Sequence, residues 1–393
     1  MMAEAIGNLV LPVAQGDPSA LARSTIRYVD IASVDRERKR ITSAQALSAS
    51  AAPSRARQII RAHDVLVSTV RPNLNAVALV PNALDNEIAS TGFCVLRTVP
   101  ARLDARYLFY FVQTQRFISE MTAVATGASY PAVSDADVCD AAIPLPSLAD
   151  QQRISSKLDR ADRLRRMRRY AVEMCDEVLP AVFEEMFGDL RTNQRRWDFQ
   201  SLEEVADIVS GVAKGQKYGN KETVEVPYLR VANVQDGHLD LSEIKTIRAL
   251  PEDVHHLRLQ PGDVVMTEGG DFDKLGRGAI WLGGIEDCIH QNHIFRVRLN
   301  QEHVRPIFFS AFLRSPFAKS YFLRCSKKTT NLATINMTQL RATPLAVPPI
   351  AAQQQFASTI SRLGRAISVQ REALRQADHL FETLLHQAFG EAA

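Results

Sequence analysis

The run Gly211-Val212-Ala213-Lys214-Gly215-Gln216-Lys217-Tyr218-Gly219-Asn220 places two ammonium groups, an amide and an aromatic ring on a glycine-punctuated loop. Lys214 and Lys217 suit phosphate oxygens, Gln216 has the paired donor and acceptor that base edges require, and Tyr218 can stack or donate. A surface loop with no ligand would have the same composition. Glu268 to Gly278 forms a second such run, with Lys274 and Arg277 as phosphate candidates and a tight turn between strands as the alternative. Its glycines do not make a dinucleotide fingerprint, because Trp281 stands where a third glycine belongs after Gly276 and Gly278. Near the start of the chain, Ser68 to Asn75 offers Arg71, Asn73 and Asn75. Gly127-Ala128-Ser129-Tyr130 and Lys327-Lys328-Thr329-Thr330-Asn331 sit at matching places ahead of two long periodic segments, which adds Ser129, Tyr130, Lys327 and Lys328.

Other chemistries find less support. In Cys288-Ile289-His290-Gln291-Asn292-His293 the histidines lie three apart, so on a strand they face opposite sides and share an ion poorly. Asp236, Asp240, Glu243 and Lys245 faintly resemble a nuclease carboxylate set, but short charged runs are common on surfaces. Cys94, Cys139, Cys175, Cys288 and Cys325 are scattered and never spaced as Cys-x-x-Cys, which argues against disulfides and a zinc module. The sequence contains no Asn-Pro-Pro-aromatic tetrapeptide of the kind that holds a flipped adenine, and no Gly-x-x-x-x-Gly-Lys-Ser/Thr phosphate loop. Catalysis and metal binding are therefore not expected of this chain.

An internal repeat organises the elements that must carry these loops. Pro146-Ser147-Leu148-Ala149-Asp150-Gln151-Gln152 recurs as Pro348-Pro349-Ile350-Ala351-Ala352-Gln353-Gln354, and the same displacement of 202 residues carries Phe187-Gly188-Asp189 onto Phe389-Gly390-Glu391. Between these landmarks the second copy has apolar or small residues at Phe356, Ile360, Leu363, Ile367, Leu374, Ala377, Phe381, Leu384 and Ala388. This is a heptad seam interrupted at Gln370. The first copy repeats it at Ile154, Leu158, Ala161, Val172, Cys175, Leu179, Val182 and Met186, with Arg165 and Arg168 near the middle. Both copies predict helices of roughly 57 Å at about 1.5 Å per residue. Pro180 is expected to kink the first.

Arg160, Arg163, Arg165, Arg166, Arg168 and Arg169 cluster on that first helix. A phosphate track is one reading. The favoured one is structural or subunit-docking, with Arg165 and Arg168 laying their stems on the seam and reaching Glu372 or Asp378 of the partner helix.

A chain of 393 residues is too long for one ordinary core, and the boundaries read as 1–145 and 191–346 for two globules, with helices at 146–190 and 347–393. The globules echo each other. Tyr28-Val29-Asp30-Ile31-Ala32-Ser33-Val34 matches Tyr228-Leu229-Arg230-Val231-Ala232-Asn233-Val234, and His63-Asp64-Val65-Leu66 matches Gly262-Asp263-Val264-Val265. Short strands at Ala76 to Val80 and Ala279 to Leu282 are followed by helical patterns over Leu103 to Met121 and Val304 to Leu323, so each globule reads as one mixed α/β fold. With 47 basic and 44 acidic side chains the net charge is only +3, so any phosphate-binding surface must come from local clustering. No apolar run approaches membrane-spanning length and the N-terminus lacks a secretion-signal layout, so a cytoplasmic location is expected.

These residues resemble the specificity subunits of Type I restriction-modification systems along essentially the whole chain. The most specific part is Ile143-Pro144-Leu145-Pro146-Ser147-Leu148-Ala149-Asp150-Gln151-Gln152-Arg153-Ile154 with its second copy. Trp197 followed by Leu202-Glu203-Glu204-Val205-Ala206-Asp207-Ile208 and Gly211 is also family-like, and the first globule shows no clear version of that opening. The resemblance implies an α/β protein with two target recognition domains held apart by two antiparallel helices in a coiled coil, on a pseudo-two-fold frame. It implies a non-catalytic reader of an asymmetric bipartite double-stranded DNA target. Two modification subunits would carry S-adenosylmethionine and methyl transfer, and a restriction subunit would use ATP and Mg2+. A self-contained DNA methyltransferase or nuclease, or a coiled-coil scaffold without a DNA role, remain the alternatives.

Overall fold

The computed structural model describes residues 3–20, 23–127, 129–272, 275–328 and 333–390, with the side chains of 176, 177 and 328 outside the description. Contacts divide the chain into two compact units, Met1–Ala171 with Gln370–Ala393, and Val172–Val369. The unit boundaries cut through both long helices, Leu148–Phe187 and Ile350–Phe389, rather than falling at the ends of the globules. The reason is packing, since each globule seats its aromatic core on the nearer ends of both helices.

In the first unit, a four-stranded sheet orders Val10–Leu11, Phe93–Thr98, Val65–Ser68 and Val77–Leu79, and a second orders Gln45–Ser48, Thr25–Val29, Ile88–Ser90 and Ala56–Ile59. The second unit uses the same order for Ala206–Ser210, Ile294–Leu299, Val264–Thr267 and Gly278–Ile280, and for Lys245–Ala249, Val224–Leu229 and Ile289–His290. The matched sequence stretches fall on matched geometry. Arg97 grips Asp64 with two hydrogen bonds of 3.0 and 2.7 Å, and Arg298 grips Asp263 with two of 2.7 and 2.8 Å. The residues before these aspartates, His63 (φ 70°) and Gly262 (φ 98°), share a left-handed backbone.

Two expectations need correction. The first globule does have the family-like opening. Ala3–Ala5 pairs with Ala142–Pro144 and runs into a helical turn at Ile6–Leu9, as Phe199–Ser201 pairs with Pro344–Ala346 and runs into Leu202–Val205. Only the buried pairs Ile6/Leu9 and Leu202/Val205 need agree, so the flanking residues have diverged. Each long helical pattern is also two helices, Ala105–Phe111 with Gln115–Val124, and Pro306–Leu313 with Pro316–Cys325. Thr114 and Ser315 start the second of each pair by accepting from the amides of Phe117 and Ala318.

The repeated glutamines lock each long helix to its own globule. Gln151 donates to the carbonyls of Arg102 and Pro146 and accepts from the Asp104 amide. Gln353 donates to His303 and Pro348 and accepts from Arg305. Both side chains are buried with three of their hydrogen-bonding positions filled, which explains why this motif is the clearest part of the repeat. Pro180 lies inside the first helix without ending it.

Seam residues are covered along the helices, but at the end of the second helix burial moves one position along, with Leu385 and Phe389 buried and the expected Leu384 and Ala388 only half-buried. In the first unit Leu158, Ala161, Ala377 and Phe381 are buried, and Ile154, Leu374 and Leu384 are half-buried. In the second, Phe356 is buried and Leu179, Ile360, Leu363 and Ile367 are half-buried. Phe183 and Phe187 are buried deeper than the expected Val182 and Met186, one position along. Their rings meet Phe308 and Phe356 at 4.8 to 5.8 Å, so the globule claims the neighbouring face of the helix end.

The arginine partners also differ from expectation. Arg165 bonds Asp162 of its own helix at 2.7 Å, with its guanidinium carbon 3.6 Å from the centre of the Phe381 ring. Arg168 reaches Gln370, Arg169 takes Asp378 at 3.4 Å, and Glu372 pairs with Arg375 on its own helix. Higher numbers on the first helix meet lower numbers on the second, so within this unit the helices run antiparallel. No helix among the described residues is long and apolar enough to cross a membrane.

Candidate nucleic-acid interface

In the first unit the backbone draws two candidate segments together. The Thr69 amide donates to Gly92, the Val133 amide donates to Thr69, and Ala132 bridges both Val70 and Thr126. Arg71 has left-handed backbone (φ 51°) and its amide donates to Pro131 at 2.7 Å. Its guanidinium carbon stands 4.7 Å from the centre of the Tyr130 ring, which is 69% exposed. Asn73 and Ser129 are exposed beside them in sequence. An arginine stacked on a tyrosine presents a planar donor fork that is already ordered, which lowers the entropy cost of contacting a phosphate or a guanine edge.

Asn75 is a correction. Its side chain is buried, donating to the Val112 carbonyl at 2.8 Å and accepting from Lys39 Nζ at 2.8 Å. The amide is spent on holding the left-handed turn that follows Pro72–Leu74, so it has nothing left for a base.

The second unit builds a longer edge from the same bonds. Glu268 donates its amide to His293 and accepts from Ile335, as Thr69 does with Gly92 and Val133. Gly269–Gly270 then pairs with Ala333–Thr334, which pairs with Lys327–Lys328. A Cβ on Gly269 would fall 2.7 Å from Thr334 Cγ2, so the close strand approach requires glycine there. The Lys214 loop is tied to the same edge at its root. Val212 donates to His290 and accepts from Asn292, and Ser210 Oγ donates to the Asn292 carbonyl. A Cβ on Gly211 would sit 1.8 Å from the His290 carbonyl oxygen. Lys214, Gln216, Lys217 and Lys327 are exposed along this ridge. Tyr218 is half-buried and its hydroxyl oxygen is buried without a hydrogen-bond partner among the described residues, so unlike the lysines it does not present its polar group to a ligand.

Arg277 is half-buried, donates to Gln235 at 3.3 Å and lines a cavity of about 250 Å3 with Asp236 and Lys319. Lys274, Ala128, Thr329, Thr330, Asn331 and the Lys328 side chain lie outside the described residues. The two histidines do not converge. His290 is buried with Nδ1 2.9 Å from the Ile294 carbonyl, whereas His293 is exposed. His293 Nδ1 lies 2.5 Å from Glu268 Oε2 at the centre of the ridge, and neither residue stood out as a reader from sequence. Their counterparts are Gly92 and Thr69, so the two units present different chemistry on one framework. Only the hairpin register, which sets His293 against Glu268, reveals the pair.

The family model described as Type I restriction modification DNA specificity domain matches residues 46–173 and again 194–377. The EcoKI specificity subunit of Escherichia coli K12 is 21% identical over 328 residues, covering 77% of this chain and 68% of that protein. A Methanocaldococcus jannaschii chain named as the MjaX type I restriction enzyme specificity subunit is 26% identical over 186 residues, covering 46% of this chain and 43% of that one. A chain solved in a study of complex assembly and conformational transition of the type I R-M system superposes with a TM-score of 0.62 at 26% identity. That match covers 99% of this chain and 97% of the other.

Proposed function

The chain belongs to the Type I restriction-modification DNA specificity family, and from that premise we propose that it is the subunit that reads the DNA target while leaving catalysis to its partners. The observation that carries this reading is the doubled ridge. Two units share strand order, Asp–Arg clamps and the bonds that root their loops, but one edge carries Arg71, Tyr130 and Gly92 and the other carries Lys214, Gln216, Lys327 and the Glu268–His293 pair. Two non-identical readers in one chain imply an asymmetric target in two parts with an unread spacer.

Lys214, Lys217, Lys327 and Arg71 would position the backbone, and Gln216, Asn73 and His293 would face base edges. Two modification subunits would dock and carry S-adenosylmethionine, and a restriction subunit would carry ATP and Mg2+. The test is methylome sequencing of cells with and without the chain. Loss of one bipartite adenine-methylation motif is the expected result. Methylation or cleavage by the isolated chain would overturn the division of labour, and a complex with modification subunits that bound DNA without sequence preference would leave only a scaffold.

A further inference from the structure

The helix seam accounts for Arg165, Arg168 and Arg169, but not for Arg163 and Arg166. Both line a cavity of about 560 Å3 that lies wholly within the first unit, and Lys39 and Arg40 of the hairpin that closes between Val34 and Ile41 line it too. Arg106 adds a further guanidinium. Two carboxylates border the cavity, and both are already engaged. Asp159 takes Arg106 and the Tyr110 hydroxyl, and Asp162 takes Arg165 and Arg166. Among the described residues no carboxylate lies within ion-pair distance of Lys39, Arg40 or Arg163.

Lys39 is held there against two costs. Its backbone is left-handed (φ 52°), which a lysine adopts reluctantly. Its ammonium is half-buried and meets only neutral acceptors, the Asn75 carbonyl and side-chain oxygens at 2.6 and 2.8 Å. Burial pulls its pKa down to about 8, and Arg165 and Arg36 push the same way against weaker pulls from Glu382 and Asp35. Three uncompensated cations facing one cavity repel one another, and an anion would remove that repulsion.

The repeat does not require this charge. In the second unit the equivalent hairpin closes between Val234 and Leu239, two residues shorter, and Gly237 (φ 81°) and His238 stand where Lys39 (φ 52°) and Arg40 do, so neither the ammonium nor the guanidinium is repeated. Of the helix residues lining the cavity, Arg163 is repeated as Arg365, but the positions 202 residues beyond Asp159, Asp162 and Arg166 are Ser361, Gly364 and Ser368. The basic cavity is thus a property of the first unit, and not a feature needed to build the fold.

We propose that this cavity binds a phosphate-bearing ligand, one site per chain, gripped by Lys39, Arg40 and Arg163. Two guanidinium forks and an ammonium match the several oxygens of a phosphate ester better than one carboxylate, and the volume admits more than a single small ion. Arg71, Asn73 and Tyr130 do not line the cavity, which meets their loop only where Lys39 bonds Asn75 at its end.

The experiment uses the full-length chain together with its modification subunits. Inorganic tripolyphosphate is titrated calorimetrically, and a duplex without the methylation motif is titrated at several salt concentrations. Both titrations are repeated with Arg40→Gln/Arg163→Gln, with the charge-keeping Arg40→Lys/Arg163→Lys, and with Arg116→Gln/Arg153→Gln as a surface control. Arg40 and Arg163 are exposed enough that the glutamine pair should fold, which the unfolding temperature checks.

The expected result is one tripolyphosphate per chain, at least about tenfold weaker in the glutamine pair, largely restored by lysine and unchanged in the control. If the salt slope for DNA also falls by about two, the phosphates belong to the duplex backbone. An unchanged slope assigns the cavity to a free phosphate ester. The proposal is overturned if neither titration responds to the glutamine pair, and equally if only polyglutamate binding responds, which would give the cavity to an acidic protein segment.

Discussion

Arg168 Nη1 donates to Gln370 Oε1 at 3.1 Å, and the two residues are 202 positions apart, the displacement that carries the first copy of the repeat onto the second. A seam position in one helix therefore meets its own equivalent in the other. In an antiparallel pair of equivalent helices only the midpoint of the crossing has that property. Both copies interrupt their heptads at this point, one with a cation and the other with an amide, and the two irregularities satisfy each other.

Gln370→Leu should remove the acceptor and leave the Arg168 fork facing an apolar neighbour, at a cost of about 1 to 2 kcal/mol. Arg168→Leu/Gln370→Leu should recover that loss or exceed the parent, because two leucines complete the seam. A double-mutant cycle by urea unfolding reads the coupling. Additive single effects would mean that the pair contributes nothing together.

Asp162 compensates two arginines, each at 2.7 Å, and Arg165 is further held flat against Phe381. Asp162→Ala leaves both cations uncompensated, one of them buried, and should destabilise the first unit by about 3 to 4 kcal/mol. Arg165→Met should cost about 1 kcal/mol, because methionine still covers the Phe381 ring and Arg166 still holds Asp162. Denaturant midpoints of the two variants should fall in that order.

Burial pushes the His290 imidazole down to about 4 from its ordinary 6.5, and its Nε2 has no partner among the described residues. The unfolded chain binds the proton first, so the contribution is fully present above pH 6.5 and is lost as pH falls towards 4. The loss approaches about 3 kcal/mol at the acid end. In unfolding measurements from pH 7.5 to 4.5, His290→Leu should flatten the acid limb, and an unchanged limb would place the titration elsewhere.

On the ridges, Lys214→Ala/Lys217→Ala should weaken binding of every duplex alike and lower the salt slope by about two. Gln216→Ala and His293→Gly should instead relax one half of the recognised motif, with the other half intact. Tyr130→Ala removes the platform under Arg71 and should weaken the other half-site about three- to fivefold. Methylation profiles of cells carrying each variant separate these outcomes.

The repeat motif marked by Gln151 and Gln353 and the heptads from Ile154 to Ala388 determine by themselves two long helices, two equivalent globules and a family, because local periodicity and repeated motifs are properties of the chain in one dimension. The candidate loops were legible for the same reason, as glycine, lysine and arginine in short runs. Their roles were not. Asn75 and Asn73 look alike in sequence, and one is consumed by Val112 and Lys39 because residues far along the chain close over it. The Glu268–His293 pair, the match of Arg168 to Gln370 and the cavity shared by Lys39 and Arg163 all depend on sheet register and helix packing between distant segments. Tertiary structure alone decided which of many similar polar side chains are spent on the fold and which are left to meet a ligand.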